Sequence, residues 1–202
     1  VASTSNIAIA ILAAGASKRM GSPKQLLKWG ETTLLQHSIK TCKNTVAKEV
    51  FTVLGANHEV IASGIEDESL PLVFNKEWEQ GLGKSIASAS KFLLNSNKIF
   101  EGILIVLADQ PFVTTSFLDE MMNQFNPNSK DIIATSYNSS KCGVPVLFDK
   151  AYFKELSDLS GDDGAKSILE KHITSVQVIA PDFENTDIDT KEDYQHIIKP
   201  SQ

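Results

Sequence analysis

Positive charge and small residues are concentrated in one short stretch, Gly15-Ala16-Ser17-Lys18-Arg19-Met20-Gly21-Ser22-Pro23-Lys24. Small residues let backbone N–H groups approach a ligand closely, and Lys18, Arg19 and Lys24 supply charge, which together make a phosphate site. The competing reading is a tight strand-to-helix loop whose cations are merely solvated. Two acidic features stand far from it in sequence. Asp109 follows directly on the apolar run 102–108, where a carboxylate has no core to enter and can face the same crevice as Gly15. Asp187 and Asp189 flank Ile188, and in an extended segment such alternate residues share a face. Their competing readings are structural: Asp109 as the start of a turn at Gln110-Pro111, and Asp189 with Thr190 as a helix cap.

Several familiar chemistries are excluded by spacing. Neither the Gly15 loop nor Gly81-Leu82-Gly83 carries the third glycine of a dinucleotide fingerprint. Gly83-Lys84-Ser85 matches the tail of a P-loop, but Trp78 stands where its first glycine belongs. The four histidines, His37, His58, His172 and His196, have no His-Glu-x-x-His spacing and read as surface or helix-face residues rather than metal ligands. Cys42 and Cys142 make neither a Cys-x-x-Cys pair nor a disulfide framework, which fits a reducing cytoplasm.

The elements that must position these groups follow from hydrophobic patterning. Residues 7–12 and 102–108 are continuous apolar runs too short for a membrane, hence central strands buried on both faces and neighbours in one sheet. Residues 49–54 and 72–75 read as further strands, with helices over 33–44, 58–63 and 85–94 between them. Alternation of this kind implies right-handed crossovers and an α/β fold of three layers, a mostly parallel central sheet with helices on both faces. In the second half, 131–135 and 144–148 are strand candidates joined by the polar segment 136–141. There Pro145 suits an edge or a strand start. Helices are expected over 151–159, 165–172 and 191–198, and a strand over 175–179.

The loop at Gly15 resembles the opening signature of nucleotidyltransferases of the glycosyltransferase-A type, in the residues Leu12, Ala13, Ala14, Gly15, Arg19, Met20, Gly21, Pro23 and Lys24. Within that group the chain is most similar to the molybdenum-cofactor nucleotidyltransferases, which transfer CMP or GMP onto molybdopterin. Leu107-Ala108-Asp109-Gln110-Pro111 and the block 185–194 resemble two further motifs of those enzymes, in the same order. The resemblance implies that Arg19 and Lys24 hold the triphosphate and act in catalysis with Asp109, and that Asp109 and Asp189 hold Mg2+, with Asp187 the weaker ligand. It also implies that Leu12, Ala13, Ala14 and Gly15 surround the nucleobase, with Gly83 and Ser85 beside it, and that Gly143, Pro145, Gly161, Asp162 and Gly164 lie on the acceptor side.

Ala13-Ala14-Gly15 favours CTP over GTP by the same resemblance, with a molybdopterin-type phosphate acceptor and a molybdoenzyme as recipient of the product. A guanylyltransferase, a sugar-1-phosphate nucleotidyltransferase and a non-catalytic cofactor chaperone are the alternatives; the chaperone would expect degraded phosphate and metal residues. Lys84 and Lys166 depart from the pattern, the latter replacing an arginine and its bidentate fork.

Length and composition agree with this class. A chain of 202 residues with 42% hydrophobic content fits one domain with a sizeable core, expected to hold nucleotide over about 6–110 and acceptor over about 111–202. Its formal net charge of -6 argues against a broad nucleic-acid surface, so the expected polyanion is small. No apolar run reaches the roughly 18 residues of a membrane helix. The start lacks a leader-like pattern, and Val1 in place of Met fits a trimmed terminus.

Overall fold

The computed structural model describes residues 5–138, 141–184 and 186–198, so Val1, residues 139–140 of the polar segment, and Asn185 lie outside the described residues. Its centre is β1 (Ser5–Ala13), where residues 7–13 are all buried. Alternate side chains of β1 enter opposite cores: Ile7, Ile9 and Ile11 on one face, Ala8, Ala10 and Leu12 on the other. Each fully buried isoleucine contributes about 1.5–3 kcal/mol, which is why a strand with no polar side chain occupies this position.

After β1 the chain makes a small ribbon, β2 (Lys28–Trp29) and β3 (Thr32–Thr33), around the Gly30-Glu31 turn. Then come α1 (Leu34–Lys43), β4 (Ala47–Leu54), α2 (His58–Ser63), β5 (Leu72–Phe74), α3 (Leu82–Leu94) and β6 (Gly102–Leu107). Thr33 caps α1 by accepting from the Gln36 N–H at 3.2 Å. The second half holds α4 (Thr115–Gln124), β7 (Ile132–Asn138), β8 (Lys141–Asp149), α5 (Phe153–Ser157), α6 (Lys166–Lys171), β9 (Val176–Ile179) and α7 (Lys191–Ile198).

The main sheet has seven strands in the order β5-β4-β1-β6-β8-β7-β9. All neighbours pair in parallel except β8, which runs antiparallel to β6 and β7. The expected three-layer, mostly parallel architecture is therefore present. Helices α1 and α4 pack on the isoleucine face of β1, and α3, α5 and α6 on the opposite face.

Three expectations change. Pro145 is neither at an edge nor at a strand start: β8 lies inside the sheet. Its pairing with β7 shifts between Ala134↔Val146 and Thr135↔Gly143, so Val144 and Pro145 fall in a bulge. A bulge leaves a residue out of the ladder, which is what a proline without an N–H needs. Helix α3 begins at Leu82 rather than at 85. Helix α4 is an addition to the expected elements, capped by Thr114 and buried through Phe117, Leu118, Met121 and Met122. Among the described residues no helix is long and apolar enough to cross a membrane.

Both cysteines are free, and burial pushes the Cys42 thiol up to about 12, which makes it a core residue rather than a nucleophile.

Candidate active site

Strands β1 and β6 are neighbours with Leu12 opposite Leu107, so whatever follows each strand emerges at the same edge of the sheet. The Gly15 loop and Asp109 are thereby brought together, as ligand sites at the carboxyl edge of parallel strands require. Between them opens a cleft of about 850 Å³. Leu12 to Gly15, Arg19, Lys24 and Asp109 line it, and so do Ser85, Asp162, Asp187 and Asp189 from later elements.

The loop is held in shape by its own polar side chains. Gln25, almost fully buried, donates from Nε2 to the carbonyls of Ala13 at 2.9 Å and Gly15 at 3.0 Å. Ser17 accepts from the Lys24 N–H at 3.1 Å. Met20 anchors the loop in the core. Gln25 was absent from the expected site; its place directly after Lys24 is the only sequence signal for it.

The second aspartate pair reaches the cleft through a backbone tie. The Ile188 N–H donates to the carbonyl of Asp109 at 3.1 Å, and the Ile188 side chain is fully buried, which turns Asp187 and Asp189 to the cleft as alternation requires. Capping of α7 falls to other groups. Thr190 Oγ1 accepts from the Asp193 N–H at 3.1 Å, and the Asp193 carboxylate accepts from the N–H groups of Asp189 and Thr190 at 3.1 and 2.7 Å. The Asp189 carboxylate is left for the cleft. Tyr194 of α7 donates to the carbonyl of Lys28 at 2.6 Å, fastening this last segment to the first third of the chain.

Lys24 is the centre of the resulting network. Its ammonium donates to Asp109 Oδ2, to the Ile188 carbonyl at 3.0 Å and to Asp189 Oδ1 at 3.1 Å. Arg19 reaches the other oxygen of Asp189 at 3.0 Å. Burial disfavours the Lys24 charge, but Asp109 and then Asp189 outweigh it and hold its pKa above the ordinary lysine value. Burial likewise pushes Asp189 up, while Lys24 and Arg19 outweigh that and hold its carboxyl below the usual range. Asp187 goes the other way: burial and then the charge of Asp109 raise it, against a hydrogen bond from Gln110.

The far end of the cleft is built from backbone. Gly161 N–H donates to the Gln80 carbonyl at 2.9 Å and Gly83 N–H to the Gly161 carbonyl at 2.8 Å, zipping the α3 entry against the loop before α6. Gly83 does not line the cleft, contrary to expectation, because its Cα faces the backbone of Ser160, where a Cβ would lie 2.8 Å away. Ser85 does line it and accepts from Asn75 Nδ2 at 3.2 Å.

Of the expected acceptor residues, Asp162 lines the cleft, while Gly161 and Gly164 support it from behind against Gly81 and Leu82. Gly143 and Pro145 sit off the cleft, Gly143 beside Tyr137 and Pro145 with its carbonyl accepting from Thr135 Oγ1 at 2.7 Å. Gln110 links that region to the cleft, its Nε2 donating to Tyr137 Oη at 2.9 Å and Asp187 Oδ1 at 2.8 Å. Lys84 turns away to Glu77 at 3.3 Å, and Lys166 lies on the surface of α6 at 3.8 Å from Glu170. Trp78 was missed as a lining residue, although it stands three residues before Gly81.

The model of the MobA-like NTP transferase domain matches residues 9–176. The chain belongs to this family. The Gly15 loop, Asp109 and the Gly81 segment all fall inside the matched span, and the family makes the chain a nucleotidyltransferase. It is 30% identical over 196 residues to nicotine blue oxidoreductase of Paenarthrobacter nicotinovorans, across 93% of this chain and 94% of that protein. Among solved structures, the homologue of Rv0371c from Mycobacterium sp. strain JC1 is 28% identical with a TM-score of 0.83, covering 95% of this chain and 94% of the other. Rv0371c of Mycobacterium tuberculosis H37Rv, in a complex with manganese, is 24% identical with a TM-score of 0.79, covering 96% and 99%. The structure thus has the fold of the MobA-like transferases, with the expected phosphate and carboxylate residues in one cleft.

Proposed function

We propose that this chain transfers a nucleoside monophosphate, CMP in the first instance, from an NTP to the phosphate of a molybdopterin-type acceptor, in a reaction that requires Mg2+. An acceptor phosphate oxygen forms a bond to the α-phosphorus, and the bond from that phosphorus to pyrophosphate breaks in line. Such a nucleophile is already ionised near neutral pH, so the protein has to position and neutralise charge rather than remove a proton.

The observation that carries this reading is the meeting of Lys24 and Arg19 with Asp109 and Asp189 beside the Gly15 loop. Asp109 Oδ1 is buried with no hydrogen-bond partner among the described residues, an oxygen suited to a hard cation. Asp109 and Asp189 would hold the ion, and when bound it neutralises phosphate charge and draws electrons from the reacting phosphorus. Among the described residues no cluster of three or more His, Cys, Asp or Glu side chains is arranged for a metal. Two carboxylates with the rest of the shell from phosphate and water is how Mg2+ is commonly bound at nucleotide sites.

In this reading Arg19 and Lys24 bind the triphosphate, the peptides of Ala13 to Gly15 face the base, and Ser85 and Asp162 line the same cleft. Residues of about 6–110 serve the nucleotide and about 111–202 the acceptor, with Asp187 and Asp189 returning to the nucleotide side. Pyrophosphate release with Mg2+ and a molybdopterin acceptor tests the class, and thermal shift tests the base. CTP with Mg2+ is expected to raise the melting temperature more than GTP or ATP, since a ligand that binds only the folded state stabilises it by mass action. A larger rise with GTP reassigns the base and leaves nucleotidyl transfer in place.

A further inference from the structure

The two cations assigned to the triphosphate are paired in the structure with the two carboxylates assigned to the metal. Lys24 has three N–H donors and uses them on Asp109, the Ile188 carbonyl and Asp189. Its ammonium therefore sits between the two carboxylates that would hold a metal, on Asp109 Oδ2 and Asp189 Oδ1, next to Asp109 Oδ1, which is unpartnered among the described residues. Arg19 occupies the remaining oxygen of Asp189. The side chains of Lys24 and Asp109 are both mostly buried, so breaking their contact without a replacement leaves a poorly solvated charge.

From this we infer that Lys24 is a resident stand-in for the metal, and that metal and nucleotide enter by an exchange of partners. The inference rests on the metal-dependent reading above. A metal arriving alone at Asp109 Oδ1 meets the ammonium held on the same carboxylate, and to reach Asp189 as well it must expel that ammonium with no anion to receive it. A triphosphate arriving alone must draw Lys24 and Arg19 away and leave two carboxylates unpaired, beside a cleft that also carries Asp162 and Asp187. When both arrive, each lysine or arginine charge passes from carboxylate to phosphate while the metal takes the carboxylates, and no charge is left unpaired. Metal and nucleotide then favour each other's binding reciprocally. Lys24 sets the order: without it, the carboxylate pair is open to metal at all times.

The test reads Mn2+ binding to the intact chain by paramagnetic resonance of the free ion, with no nucleotide present. Lys24→Met, which keeps the length of the side chain and removes the charge, is expected to bind Mn2+ about ten-fold or more tightly than wild type. The gain is expected to vanish in Lys24→Met with Asp109→Asn. Equal affinities in wild type and Lys24→Met overturn the exchange, and so does a gain that survives Asp109→Asn.

Should Lys24→Met fail to fold, wild-type melting temperatures with Mn2+, with CTP and with both carry the test. A rise with both that exceeds the sum of the single rises is expected, and additive rises overturn it. Tight Mn2+ binding to nucleotide-free wild type sinks the exchange alone and leaves metal-dependent transfer standing. Failure of Mn2+ to bind wild type even with CTP present removes the metal-dependent reading itself.

Discussion

The two ends of the cleft are made of different materials. At the Gly15 end, four charged side chains from three separate segments, Arg19, Lys24, Asp109 and Asp189, hold one another in place. At the Gly81 end, glycines from α3's entry and the loop before α6 approach until their backbones bond, and the cations nearby, Lys84 and Lys166, pair outward. In the proposed reading, charge does the chemistry at one end, while close packing fixes shape at the other. Substitutions should therefore separate into those that change rate and those that change stability.

The largest effect is expected from Asp109→Asn, which keeps size and one oxygen but deletes the charge. Transfer should fall about a thousand-fold or more at ordinary Mg2+ while the protein still folds, a loss of several kcal/mol of transition-state stabilisation. Rate against Mg2+ concentration decides the matter: superimposable curves for wild type and Asp109→Asn would make Asp109 a turn residue and erase the contrast between the ends.

Next come the two cations, which should differ from each other. The Lys24 side chain is 16% exposed and that of Arg19 69%. Each charge-assisted contact is worth on the order of 1.5–3 kcal/mol, with exposure pulling Arg19 toward the weaker end. Lys24→Ala should thus reduce kcat/KM by roughly a hundred-fold and Arg19→Ala by roughly ten-fold, in initial-rate measurements with the nucleotide varied. Equal losses would mean that burial does not grade the charged end.

Gly81→Ala probes the packed end. Gly81 has φ +94°, and a Cβ there would lie 2.4 Å from the carbonyl carbon of Gly161. A side chain is disfavoured by the backbone and by the contact, so unfolding free energy should fall by about 1–3 kcal/mol in denaturant titration. An unchanged midpoint would show that this junction is loose.

The smallest effect is a dependence on pH. The folded pKa of Asp187 is raised, so below its unfolded value the group is protonated in both states and costs nothing. Stability is then lost as pH rises from the unfolded value through the folded one, and the cost persists at neutral pH. Asp187→Asn should remove that loss and raise the neutral-pH melting temperature, leaving stability flatter across mildly acidic pH. The charge of Asp189 works in the opposite sense, its contribution being present above the unfolded value and lost as pH falls through the lower folded one. A profile unchanged by Asp187→Asn would mean that neither burial nor the charge of Asp109 raises Asp187.

The same contrast decides what was legible beforehand. Apolar runs placed β1 and β6 side by side, because a strand without polar residues has only the middle of a sheet to occupy. The helical stripe Phe117, Leu118, Met121, Met122 was equally readable, and Thr114 marks its start, although α4 did not enter the expected elements. Pro145 misled because a bulge is a property of pairing between strands, and nothing within residues 144–148 announces it. Gly83 misled in a similar way: a glycine in a motif does not reveal whether ligand or Ser160 needs its missing Cβ.

By itself the sequence determined the order of elements, the central strands and the residue types of the charged end, since these depend on periodicity and on loops that follow strands directly. Alternation about Ile188 even assigned Asp187 and Asp189 to a common face. Only the tertiary structure decided which charges meet. Lys24 and Asp189 are 165 residues apart, and their contact exists because the Ile188 N–H bonds to the Asp109 carbonyl and Tyr194 ties α7 to β2. Those ties, not local pattern, also leave capping of α7 to Thr190 and free Asp189 for the cleft. Local periodicity reports burial within one element, whereas a partner in an ion network is set by the packing of several elements at once.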